Sequence, residues 1–184
     1  MTKTDFDKFV ERQQAKQQEE AAFDHKKQLQ KWLEYLDTLY KQINGYLEKY
    51  ITNGAATITY RDVIINEDFI GPYAVQELIL KIGLSTITFK PIGTMVIGTK
   101  GRVDVQGPRG SARLSLVNKQ VTSARELVRV TVLRSGDPTP TSLSRKEIEN
   151  IEWAWKIVTP APQMQFIDLT PDAFFDMVLS VADA

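Results

Sequence analysis

A chain of 184 residues, 42% hydrophobic and 25% charged, is long enough to bury a core without a covalent staple and lies far from disordered or fibrous compositions. Its 23 basic and 23 acidic residues cancel. The absence of cysteine excludes disulfides, thiolate nucleophiles, zinc–thiolate clusters and Fe–S ligation.

The N-terminal third is predicted to be helical. From Leu29 the apolar positions run Trp32/Leu33, Leu36, Leu39/Tyr40, Ile43, Tyr46/Leu47 and Tyr50/Ile51, in alternating steps of three and four. This predicts a helix over 29–52, roughly 33 Å long at about 1.5 Å per residue, ended by Asn53-Gly54. Residues 1–28 are expected to form an exposed helical arm. There Phe6, Phe9 and Val10 make one apolar turn suited to a partner, and the following ERQQAKQQEE has helix formers but nothing to bury.

After Gly54 the period changes to two, and residues 55–134 are expected to form strands. ATITYRDVII puts Ile58, Tyr60 and Ile64 on one face, and Asn66–Pro72 reads as a loop. Residues 75–82 fit helix or strand, with a strand preferred because Gly83-Leu84-Ser85 then turns the chain into TITFK, where Ile87 and Phe89 face inward. Thr94–Ile97 and Arg102–Gln106 follow, the latter with Val103 and Val105 inward. The Gly107-Pro108-Arg109-Gly110 turn leads into SARLSLV and later ELVRVTVLR.

Residues 135–150 read as a loop, and 151–169 as strands with Trp153, Trp155 and Ile157 on one face. A helix over 170–182 carries the plainest start signal: Thr170 as N-cap, Pro171 at N1, and Leu169 placed to staple onto Phe174. The expected fold is therefore α+β. A long N-terminal helical arm precedes a single domain over 29–184, built on an antiparallel sheet or partly open barrel of about seven to eight strands and closed by a short C-terminal helix.

Two glycine motifs carry little. Gly93-Thr-Met-Val-Ile-Gly98-Thr99-Lys100 approaches a P-loop, but its residue order and β-forming interior point to a hairpin, with no helix behind it to present the lysine. Val96-Ile97-Gly98-Thr99-Lys100-Gly101 resembles the V-I-G-x-x-G segment of KH domains over six residues. Asp104 stands where an apolar residue belongs, so nothing is carried over from that family.

His25, the one histidine, sits beside Lys26 and Lys27 in a polar helical stretch and reads as solvated, leaving no histidine for a triad or a His-rich metal site. Carboxylate chemistry stays open on Asp62, Glu67, Asp68 or Asp104.

Charge is unevenly spread. Residues 81–134 hold ten basic side chains against Asp104 and Glu126 alone, and the acidic flanks cancel them. Strand parity puts Arg102, Arg113 and Arg129 on one sheet face, a candidate surface for an anionic ligand, nucleic acid or an acidic partner. The expected function is a non-catalytic protein–protein interaction or accessory role, through a protein partner or self-association of the N-terminal helix. The alternatives are an anion-binding module and a carboxylate enzyme. No cofactor, metal or membrane attachment is expected. With no apolar stretch near about 18 residues and no secretory leader pattern, a cytoplasmic location is expected.

Overall fold

The computed structural model describes residues 3–68, 70–94, 99–123, 126, 151–162 and 164–182. In it, helix α1 runs unbroken from Lys3 to Thr52, so the arm and the packed section are one element. Its apolar stripe is sunk in the core: Trp32, Leu36, Leu39, Tyr40, Ile43 and Leu47 are all buried.

Among the described residues seven strands follow: β1 (Ala56–Glu67), β2 (Gly71–Ile82), β3 (Ser85–Gly93), β4 (Gly101–Gln106), β5 (Ser111–Asn118), β6 (Trp153–Val158) and β7 (Phe166–Asp168). They form one open antiparallel sheet whose spatial order is the chain order. Cross-strand rows make its inner face: Leu78–Phe89–Val105, Val103–Leu114–Ile157 and Leu116–Trp155, all buried against the helices. Burying each such side chain contributes about 1.5–3 kcal/mol, which is why the period-two pattern holds so firmly here.

Helix α2 (Pro171–Ala182) closes the core with Phe174, Met177, Val178 and Val181. The Ala173 N–H donates to Thr170 Oγ1 at 3.2 Å, as the capping pattern required, and Leu169 and Phe174 are both buried. From α1, Gln42 Nε2 and Tyr46 Oη donate to the Leu169 carbonyl at 3.0 and 2.7 Å, locking the two helices at the α2 N-terminus.

The region 75–82 is strand, as preferred. Two expectations in the first hairpin are corrected. The 66–72 loop is shorter, since β1 extends to Glu67 and β2 begins at Gly71. Ile64 does not face inward with Ile58: it is 70% exposed, while its neighbours Val63 and Ile65 pack on the core.

The cause lies in the pairing. β3 covers only Leu78–Ile82 of β2, so residues 71–77 are held by β1 alone. In that free half of the hairpin the Tyr40 hydroxyl of α1 donates to the Gln76 carbonyl that β3 leaves unpaired. From Tyr73 to Glu77 the buried face is therefore the opposite one, carrying Tyr73, Val75 and Glu77, and from Leu78 on it is that of Leu78 and Leu80.

The segment 95–98, most of ELVRVTVLR, the 135–150 loop and Arg129 lie outside the described residues. Among the described residues no helix is long and apolar enough to cross a membrane.

Candidate functional site

The first candidate is the N-terminal section of α1. Gln28 ties the helix to the sheet, its Nε2 donating to Thr94 Oγ1 at 3.0 Å, and packing on the core begins at Leu29. Residues 3–27 thus extend the helix by roughly 37 Å. On this extension Phe6 and Phe9 are 65% and 52% exposed with ring centroids 6.4 Å apart, and Val10 is half-buried. The three predicted partner residues therefore share one turn of helix.

The second candidate is the outer sheet face. Arg102 and Arg113 are brought together as predicted, on neighbouring strands, but around a carboxylate of their own chain. Arg102 Nε and Nη2 donate to Asp104 Oδ1 and Oδ2, both at 2.7 Å, and Arg113 Nε lies 3.8 Å from the same Oδ1. A fork-on-fork pair of this kind is the strong form of the interaction, and an incoming anion would have to displace it.

On the same face Lys156 is 2% exposed. Its ammonium donates to the carbonyls of Lys119 and Val121 at 2.8 and 2.9 Å and pairs with Asp168 at 2.9 Å. The segment that carries Lys119 and Val121 thus covers this side chain on the outer face. The remaining acidic candidates separate. Asp62 is exposed and accepts from Gln76 Nε2 at 3.0 Å, and Asp68 is exposed.

Glu67 is the buried one. It accepts from the Tyr73 hydroxyl and, at 2.9 Å each, from the N–H and Oγ1 of Thr94, the residue that also receives Gln28. This cluster ties the tip of the first hairpin and the end of β3 to α1. Gly93 makes room for it, since a Cβ there would stand 2.8 Å from the Glu67 carboxyl carbon, on a backbone at φ +135°.

Burial raises the phenol of Tyr73 well above its ordinary range, reinforced by Glu67, and burial raises that of Tyr40, with Tyr60 and Glu77 adding to it. An acid whose folded pKa is raised leaves stability untouched below its unfolded value near 10, and stability is then lost as pH climbs toward the folded value. The unfolding free energy should therefore fall between about pH 10 and pH 11.5 by up to about 1.4 kcal/mol per pH unit for each of the two tyrosines. Denaturant titrations across that range check this. Tyr40→Phe should remove its share of the slope, and an unchanged slope would show that Tyr40 ionises equally in both states.

A third feature escaped the sequence reading. A cleft of about 510 Å³ opens where α1 meets the sheet, lined by the lysines Lys27, Lys31 and Lys100 and by Tyr35 and Trp153. Lys100 Nζ sits 5.4 Å from the Trp153 ring centroid. The signal was present only as the i, i+4 repeat of Lys27 and Lys31, and nothing local links that pair to Lys100. No cluster of three or more metal-ligating side chains is present among the described residues. No known family, no curated protein and no solved structure matches the chain.

Proposed function

We propose that this protein is a non-catalytic interaction protein whose extended N-terminal helix docks into an apolar groove of a protein partner. The observation that carries this is the exposure of Phe6 and Phe9, side by side on one turn of α1. Two adjacent exposed phenylalanines are best stabilised by burial against something else. Their spacing with Val10, at i, i+3 and i+4, is the anchor pattern of helix-in-groove recognition.

The test compares the full chain with Phe6→Ala/Phe9→Ala as bait in affinity purification from the native host, with the mass of each in solution measured in parallel. The reading expects a stoichiometric partner that the double variant loses by about tenfold or more, at unchanged thermal stability. If the variant keeps every partner, the arm is not the docking element. Loss of a dimer in place of a foreign partner would transfer the role to self-association. The outer sheet face supports the anion-binding alternative less well, since Asp104 already occupies Arg102 and Arg113.

A further inference from the structure

On the outer sheet face Arg102, Arg113 and Lys156 are each paired with a carboxylate of the chain; the lysines of the α1 cleft have no such carboxylate partner among the described residues. Among the described residues, neither Lys27, Lys31 nor Lys100 takes part in an ion pair. Asp24, the one acidic residue among the described residues that line the cleft, is not ion-paired with them either. Lys27 and Lys31 stand one turn apart on the same helix, an arrangement that weakens a helix when the charges are alike and uncompensated. Docking of α1 then brings Lys100 to the same cleft from the start of β4, adding a third ammonium.

Such convergence costs electrostatic energy that the protein does not recover within its own described structure. A multiply charged anion would recover it. The walls add a second requirement. Tyr35 on α1 and Trp153 on β6 flank the lysines, and Lys100 is held over the Trp153 ring by a cation–π contact. At about 510 Å³ the cleft is within the size range of small-molecule sites, and too large for a lone inorganic anion to fill.

We propose that this cleft binds a nucleoside phosphate, its phosphates on Lys27, Lys31 and Lys100 and its flat base against Tyr35 and Trp153. Aromatic side chains accept any base because every base has a π-face, and lysines bind phosphate as point charges, so the site selects a class of ligand. The site is independent of the Phe6–Phe9 turn, and either assignment can fail without the other.

The test titrates the full chain, at low salt and without added divalent metal, with ADP and UDP, and separately with pyrophosphate and with the two nucleosides. Tryptophan fluorescence and calorimetry are the readouts. Trp153 lies in the cleft, and a phosphate that draws Lys100 off its ring should change the emission. The expected result is saturable one-to-one binding of ADP or UDP, about tenfold or more tighter than pyrophosphate or the matching nucleoside.

Lys31→Gln and Lys100→Gln replace exposed side chains, so the fold should survive, and each should weaken binding about fivefold or more. Lys90→Gln, on the outer sheet face, should leave it unchanged. The assignment is overturned if neither nucleotide saturates below about 1 mM, if pyrophosphate binds as well as the nucleotide, or if Lys90→Gln weakens binding equally. A single-stranded oligonucleotide binding more tightly than either nucleotide would also overturn it, in favour of nucleic acid.

Discussion

Trp32→Ala should cost about 4 kcal/mol of folding free energy, and Gly101→Ala about 3 kcal/mol, because the two residues share one contact from opposite sides. The Trp32 ring is 1% exposed, packs on Trp155 at 5.9 Å between centroids, and lies directly over Gly101. A Cβ at position 101 would fall 2.0 Å from one ring carbon and 2.4 Å from the next, so either the indole or the start of β4 must move. Removing the indole leaves a cavity; adding the methyl overfills the site.

The decisive measurement is the double variant in urea unfolding. With the ring gone, the new methyl enters vacated space, so the pair should be no less stable than Trp32→Ala alone, a coupling of about 3 kcal/mol. Losses that simply add would show that the strain at Gly101 has another source.

Lys156→Met should cost about 3 kcal/mol, although the substitution is to an apolar residue of similar length at a buried site. The loss comes from the two carbonyls, of Lys119 and Val121, that the ammonium now satisfies and that would be left without a donor. The ion pair is the lesser part, because the Asp168 side chain is 72% exposed and water can replace its partner. Asp168→Asn should therefore cost under about 1 kcal/mol.

Hydrogen exchange localises the effect. The amides of Val121 and Phe166, which donate to Asn118 and Thr122, should exchange about tenfold or more faster in Lys156→Met, with Leu114 in the sheet centre shifting far less. If Asp168→Asn costs as much as Lys156→Met, the charge pair is the source of the stability and the carbonyl argument fails.

The parts of the fold legible from the residues are those decided locally. The Leu29–Ile51 stripe, the alternation of Val103 and Val105, and the Thr170 cap each need only a few neighbours to be recognised, and each stands where expected. The parity of Ile64 was beyond such reading, because it depends on where β3 stops accompanying β2, a property of the sheet and of no single strand. The burial of Lys156 was illegible for a similar reason: its parity points outward, but a segment more than thirty positions away covers it. The Arg102–Asp104 pair was half legible, since residues two apart on a strand share a face, and the third member, Arg113, comes from the register of β4 on β5. Of the cleft only the Lys27–Lys31 repeat was legible. Lys31 and Lys100 become neighbours only when α1 docks, and no pattern within either segment announces it.

Because the strands lie side by side in the order they occur along the chain, each new strand can form beside one already present. The loop-closure entropy of most steps is small, and the order of synthesis matches an order of assembly in which α1 is made before the strands and the sheet grows against it. The exception is the step from β5 to β6, where the chain returns only after residues 119–152. Until that return, Leu114 and Leu116 at the growing edge await the Ile157 and Trp155 that will cover them. Aggregation during folding should thus concentrate at this edge, and α2, which follows β7 in the chain, seals a core that neighbours in sequence have already laid down.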